Sequence, residues 1–167
     1  MSNTSQTRST AIGRVGAWIL GNRVLMRAPI WLYRAGLGFL FGSRTLMLEH
    51  VGRKSGAKRY VVLEVVGHPA ADTYVVASGF GERAQWFRNL MDNPRARVSV
   101  SWHGPRTAMA RRLPTADADA VLADYVRRHP RAWTRFKNIL ENTLGKAISE
   151  HNTALPMVEL SLDARRS

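Results

Sequence analysis

Between residues 52 and 59 the chain reads Gly52-Arg53-Lys54-Ser55-Gly56, then Lys58 and Arg59, which puts four basic side chains into one short stretch. The two glycines free the backbone to turn, so amides and side chains can converge on one anion, a phosphate or a carboxylate. A solvated, charged hairpin tip accounts for the same residues without any ligand. The stretch is not a Walker A loop, in which Lys-Ser follows a longer glycine run.

A second glycine-bearing stretch, Gly79-Phe80-Gly81-Glu82-Arg83-Ala84, fits the loose dinucleotide pattern G-x-G-x-x-A. A dinucleotide fold places an acid roughly twenty residues further on to hold the ribose. Ser101, Trp102 and His103 stand there instead, and no parallel crossover precedes the glycines. These glycines suit close approach of the backbone to something flat or phosphorylated. The five histidines (His50, His68, His103, His129, His151) have no metal-ligand spacing to one another or to carboxylates, so no metal site is expected. There is no Gly-x-Ser-x-Gly and no pair of acids placed for hydrolysis. The reacting atoms are therefore expected to come from a bound electron or hydride carrier.

Composition narrows the setting. The 167 residues fit one domain with a real core. The absence of cysteine excludes disulfides, thiolate metal sites and a thiol nucleophile, and leaves no sign of an oxidising compartment, so a cytoplasmic location is expected. A net charge of +13 attracts polyanions: nucleic acid, anionic lipid, or a phosphorylated and carboxylated cofactor. A general preference for arginine explains part of that excess. The charge is spread along the chain with no solid block, which argues against a nucleic-acid tail.

The elements that must position these stretches follow from periodicity. Residues 1–11 are polar and read as a disordered tail, and residues 12–162 as a single domain. Residues 12–44 read as two helices whose Trp18, Trp31, Phe39 and Phe41 lie among Arg23, Arg27, Arg34 and Arg44. That mixture suits peripheral contact with an anionic membrane, or simple packing on the core. The apolar run 35–43 is too short to span a bilayer. From Thr45 the period becomes that of strands: 45–51, 59–66, 73–78, 97–102 and 107–112, with a closing strand at 155–162. Gly67-His68-Pro69 and His103-Gly104-Pro105 are expected to break the chain into turns. One helix is expected from Glu82 to about Met91, another capped by Thr115, and a third opened by Pro130. Strands clustered without helical crossovers favour an antiparallel barrel, so the fold class is α+β, mainly β.

The order of these features resembles the deazaflavin-dependent nitroreductase family, also described as deazaflavin-dependent quinone reductases. The motifs are Gly-Arg-Lys-Ser-Gly after a strand, a strand after Arg59, Val-Ala-Ser-Gly-Phe-Gly at 76–81, Gln85-Trp86-Phe87-Arg88-Asn89-Leu90, and Asn93-Pro94 before a Val-rich strand. The likeness runs from about Pro29 to Leu160. It implies a split β-barrel with N-terminal helices and flanking C-terminal helices that binds coenzyme F420, an 8-hydroxy-5-deazaflavin, in a basic groove. By that resemblance Arg53, Lys54, Ser55, Gly56 and Arg59 hold the cofactor's phosphate and glutamyl tail. Ala77, Ser78, Gly79 and Gly81 line its ring and ribityl chain, and Trp86 and Asn89 sit on the helix that closes the pocket.

Family members carry Asn-Pro after the basic hairpin and Lys after Ala-Ser, where this chain has Val61-Val62 and Gly79. The family's substrate-side tyrosines have no clear counterpart; His129, Trp133 and Phe136 occupy the corresponding region. The implied reaction is hydride transfer from C5 of the reduced deazaflavin to an electron-poor small molecule such as a quinone, an enone or a nitro compound, with Ser78 or a water assisting protonation. Three other readings stand beside it: a non-catalytic barrel that binds lipid or carries a cofactor, an FMN-dependent relative, and a nucleic-acid binder for which no reading motif exists. The sequence leaves the oligomeric state open.

Overall fold

Apolar and polar residues alternate through the middle of the chain, and that alternation is realised as strands. The computed structural model describes residues 44–101 and 103–163. It contains β1 (Thr45–Val51), β2 (Lys58–Ala70), β3 (Thr73–Ala77), β4 (Arg95–Val100), β5 (His103–Arg112) and β6 (Met157–Leu162). They close into a barrel in the order β1-β2-β3-β6-β5-β4, with antiparallel neighbours throughout. Closure gives every strand a neighbour on both sides, although β2 outruns β3 at its Lys58 end. The expected barrel class is therefore found. The tail and helices expected over residues 1–43 lie outside the described residues.

The barrel buries two apolar layers. Inside, Leu46, Leu48, Val76, Val98, Val158 and Leu160 meet Trp86, Phe87 and Leu90 of helix α1 (Gln85–Asp92), which plugs one end. Outside, α2 (Thr115–Arg128) and α3 (Pro130–Leu144) lay Leu122, Tyr125, Trp133 and Leu140 over Val66, Val75, Ala77 and Met157.

Four expectations about boundaries are corrected. Gly67-His68-Pro69 does not break the chain but lies within β2, where two register shifts, Val65/Gly67 and Gly67/Ala70, absorb it. A bulge tolerates residues that a regular ladder rejects, and the His68 ring stacks on Tyr74 with centroids 4.3 Å apart. His103-Gly104-Pro105 opens β5 rather than forming the turn; the reversal sits earlier, where Ser101 takes φ 52. The helix expected from Glu82 begins at Gln85, after a single 3-10 turn over Gly81–Arg83. Thr115 is the first residue of α2 and makes no side-chain cap, since Pro114 occupies the cap position.

Helix α2 is fastened to the barrel by a part-buried polar contact. The Tyr125 hydroxyl, on a residue only 1% exposed, donates to the Glu64 carboxylate of β2 at 2.6 Å, and Arg44 reaches the same carboxylate at 3.1 Å. Burial and then the Glu64 hydrogen bond push the Tyr125 phenol up to about 12. Removing the hydroxyl strips a charge-assisted hydrogen bond from a carboxylate that keeps only its half-exposed arginine. Tyr125→Phe is expected to lose about 1–3 kcal/mol in denaturant unfolding, whereas Arg44→Ala is expected to lose less than about 1 kcal/mol, as exposed ion pairs do.

Candidate functional site

The basic stretch forms the turn between β1 and β2. Backbone bonds from Gly52 N to Ala57 O (2.8 Å) and from Gly56 N to Gly52 O (2.8 Å) close it. Gly52 is buried, and a Cβ on it would lie 2.8 Å from Ser55 Oγ and 3.0 Å from Arg59 Nε. The absence of a side chain there lets the Ser55 hydroxyl and the Arg59 guanidinium draw together over bare backbone. Gly56 takes φ +65, a conformation that side chains resist. Of the four cations, Lys58 pairs with Glu49 at 3.3 Å. Arg53 turns back onto α1, where its guanidinium donates to Gln85 Oε1 at 3.0 Å and Asn89 Oδ1 at 2.9 Å. Lys54 and Arg59 are exposed and have no carboxylate partner among the described residues.

Beneath the turn lies a buried polar cluster. Asn89 Oδ1 also accepts the Arg53 backbone amide at 3.2 Å, and its Nδ2 is 3.1 Å from His50 Nδ1. His50 shares the inward face of β1 with Leu46 and Leu48 and stands opposite Arg59 in the β1–β2 register. Burial, reinforced by the Arg59 guanidinium, holds the imidazole down to about 4.

The stretch at 77–81 reaches the same end of the barrel. β3 pairs with β2 only from Val76 opposite Val65 onward, whereas β2 extends back to Lys58. The hairpin therefore runs on past the end of β3 by about 20 Å at the usual rise of a strand. Ala77 and Ser78 are buried; the Ser78 hydroxyl donates to Gly81 O at 2.7 Å and its amide to Pro156 O at 2.8 Å. A Cβ on Gly79 would come within 2.9 Å of Leu140 and one on Gly81 within 3.2 Å of Leu144, so both stretches of backbone lie tight against α3. A cavity of about 640 Å³ opens beside them, lined in part by Phe80, Arg83, Arg112, Leu144 and Lys146.

The structure thus gathers Arg53, Lys54, Ser55, Gly56, Arg59 and Asn89 into one cluster. Trp86 turns away from it into the barrel core, edge-on to Phe87. His129, Trp133 and Phe136 do come together, all three around the Tyr125 ring at 5.4 to 6.5 Å. Trp133 is buried there, while His129 and Phe136 remain half-buried. Sequence reasoning missed His50, Gln85, Glu64 and Tyr125. Two of these carried a signal: period-two alternation from Leu46 and Leu48 points His50 inward, and Glu64 is a lone carboxylate in a Val-rich strand that needs a partner.

With this geometry in view, comparison with known proteins is decisive at the level of family. The description F420H2-dependent quinone reductase matches residues 25–145, most of the chain. The chain belongs to that family. A Mycobacterium tuberculosis protein named as a putative F420H2-dependent quinone reductase is 41% identical over 69 residues, which is 40% of this chain and 57% of the relative. The match thus spans little more than half of that relative's length. Among solved structures, a protein of unknown function from Agrobacterium tumefaciens is 17% identical with a TM-score of 0.54, covering 83% of this chain and 56% of its own; it shares the fold. An F420-H2 dependent reductase is 20% identical with a TM-score of 0.49, covering 71% of this chain and 94% of its own.

The depressed His50 value has a consequence for stability. An unfolded chain takes up the imidazole proton near 6.5, the folded protein only near 4. As pH falls through that window the unfolded state binds more protons, so folding stability drops from about 6.5 down to about 4 and is fully present above it. The thermal midpoint of wild type should therefore fall more steeply between about pH 7 and pH 4.5 than that of His50→Asn, which has no proton to bind. Parallel curves for the two proteins would show that His50 does not titrate in this way.

Proposed function

We propose that this protein is a reductase that uses reduced coenzyme F420 and passes a hydride to an electron-poor small molecule. Family membership supports the cofactor class, and the observation that carries the reading is the convergence of Arg59 and Ser55 over the bare backbone of Gly52, with Arg53 tied down beside them. Guanidinium, ammonium and hydroxyl donors on a rigid turn fit a phosphate and a chain of carboxylates. FMN carries the phosphate but no glutamyl tail, so it would leave Lys54 without an anion; we assign it as the weaker ligand.

Bound in this groove, the reduced deazaflavin supplies the hydride. The protein's part is binding, orientation and exclusion of water. Arg53, Lys54, Ser55, Gly56 and Arg59 are assigned to the anionic tail. Ala77, Ser78, Gly79 and Gly81 form the floor of the ring end. The Ser78 proton is committed to the Gly81 carbonyl, which fits a residue that holds this turn better than one that releases a proton, and water then protonates the product. Trp86 and Asn89 support the groove from α1. His129 and Phe136, backed by Trp133, are assigned to the acceptor side. A quinone is the first acceptor to try, followed by enones and nitro compounds. A cytoplasmic location with peripheral contact to anionic membrane through residues 12–44 belongs to the same proposal and rests on the Trp and Arg pattern there. Among the described residues no helix is long and apolar enough to cross a membrane.

Anaerobic mixing of protein and reduced F420 with a quinone should return the oxidised deazaflavin spectrum at a rate proportional to enzyme. Binding without turnover would instead make the protein a carrier. Arg59→Ala removes a guanidinium capable of two parallel bonds, so the dissociation constant for F420 should rise about ten- to a hundredfold. The hydride leaves from the ring and not the tail, so kcat at saturating cofactor should stay within about threefold of wild type. Unchanged affinity would make Arg59 a surface charge, and a collapse of kcat at normal affinity would reverse the cofactor's orientation.

A further inference from the structure

The cluster beneath the hairpin has a donor–acceptor order with one solution. Arg53 presents two groups to Asn89, a backbone N–H and a guanidinium N–H, and both can only donate. The end of the Asn89 amide turned toward them must be its oxygen. The other end is then the NH₂ group, a donor, and it faces His50 Nδ1 at 3.1 Å. Nδ1 must therefore be bare, with the ring proton on Nε2. A proton on Nδ1 would set donor against donor, and flipping the amide would only move the conflict to Arg53.

We propose that His50 is a positioning residue for the anion-binding turn: its neutral, Nε2-protonated imidazole fixes the Asn89 amide, which in turn fixes Arg53. The proposal deepens the functional reading above and rests on it for the identity of the anion. Asn89 is 3% exposed and His50 4%, so neither can trade its partner for water. The groups facing His50 are Arg59 from β2 and Asn89 from α1, with Arg53 behind the amide. Burial, then the Arg59 guanidinium, keeps the ring uncharged and outweighs the backbone hydrogen bond at Val51, which favours the proton. A turn bounded by Gly52 and Gly56 is otherwise free to move, and holding Arg53 before the ligand arrives lowers the ordering cost of binding.

Two substitutions separate the ring nitrogens. In His50→Asn the introduced amide oxygen falls where Nδ1 was and supplies the acceptor, whereas the longer side chain introduced in His50→Gln reaches toward the Nε2 position.

In fluorescence titrations, F420 affinity should stay within about threefold of wild type for His50→Asn and fall about tenfold or more for His50→Gln. Affinity for the deazaflavin riboside, which lacks phosphate and tail, should not change in either. Imidazole ¹⁵N spectra of the ligand-free wild type should show Nδ1 unprotonated and Nε2 protonated at about pH 7, well above the His50 midpoint. An Nδ1-protonated ring, or equal F420 affinity in all three proteins, overturns the proposal. If His50→Gln does not fold, Asn89→Asp decides: its carboxylate still accepts from Arg53 but calls for a donor from the ring, so the His50 midpoint should rise well above that of wild type. An unshifted midpoint contradicts the proposal. Failure of wild type to bind F420 would sink the functional reading, while the ¹⁵N spectrum still decides the arrangement of His50.

Discussion

The amide of Asn89 sits where water cannot reach it, and both of its ends must find partners inside the protein. It finds them in the two parts of the hairpin: His50 on β1 and Arg53 at the turn. Because Trp86, Phe87 and Leu90 drive α1 into the end of the barrel, Asn89 arrives on a rigid element. The placement of a surface-exposed basic turn is thereby set by packing in the apolar core. A loop with two glycines would otherwise sample many conformations, and cations on it would meet a ligand only at the entropic cost of ordering them.

The barrel supplies the rest of the geometry. Closure fixes which residues face inward, and the excess length of β2 over β3 carries the basic turn away from the sheet at the end where Ser78 to Gly81 also lie. On the outside, α3 lies so close to this end that a Cβ on Gly79 would meet Leu140 and one on Gly81 would meet Leu144. The Tyr125–Glu64–Arg44 contact holds that outer layer in register with β2. Two helices on opposite sides of the sheet thus define one end of one barrel.

Much of this was legible from the residues. Strand periodicity and the lack of crossovers pointed to the antiparallel barrel, and the glycine-flanked cations pointed to the turn. Pro130 marked the start of α3 because its missing N–H costs nothing there. Gly67-His68-Pro69 misled because a bulge, which depends on the partner strand, absorbs what a turn would otherwise explain. One helix presents Asn89 to the turn and Trp86 to the core, and its angle against the barrel, which no local pattern records, decides which is which. Alternation along β1 points His50 inward, but it does not show what its Nδ1 meets there, and His50 was passed over. Glu64 and Tyr125 are 61 positions apart, and only the packing of α2 on β2 brings them together.

The central claim is that a pre-ordered basic turn reads the anionic tail of a deazaflavin. The most direct measurement is a pair of titrations at low salt, one with F420 and one with the deazaflavin riboside that has the same ring but no phosphate or glutamyl tail. F420 should bind about a hundredfold or more tightly, equivalent to about 2.7 kcal/mol from the tail, and added salt should narrow that gap. Equal affinities, unmoved by salt, would mean that the hairpin takes no part in binding and that the account is wrong at its root.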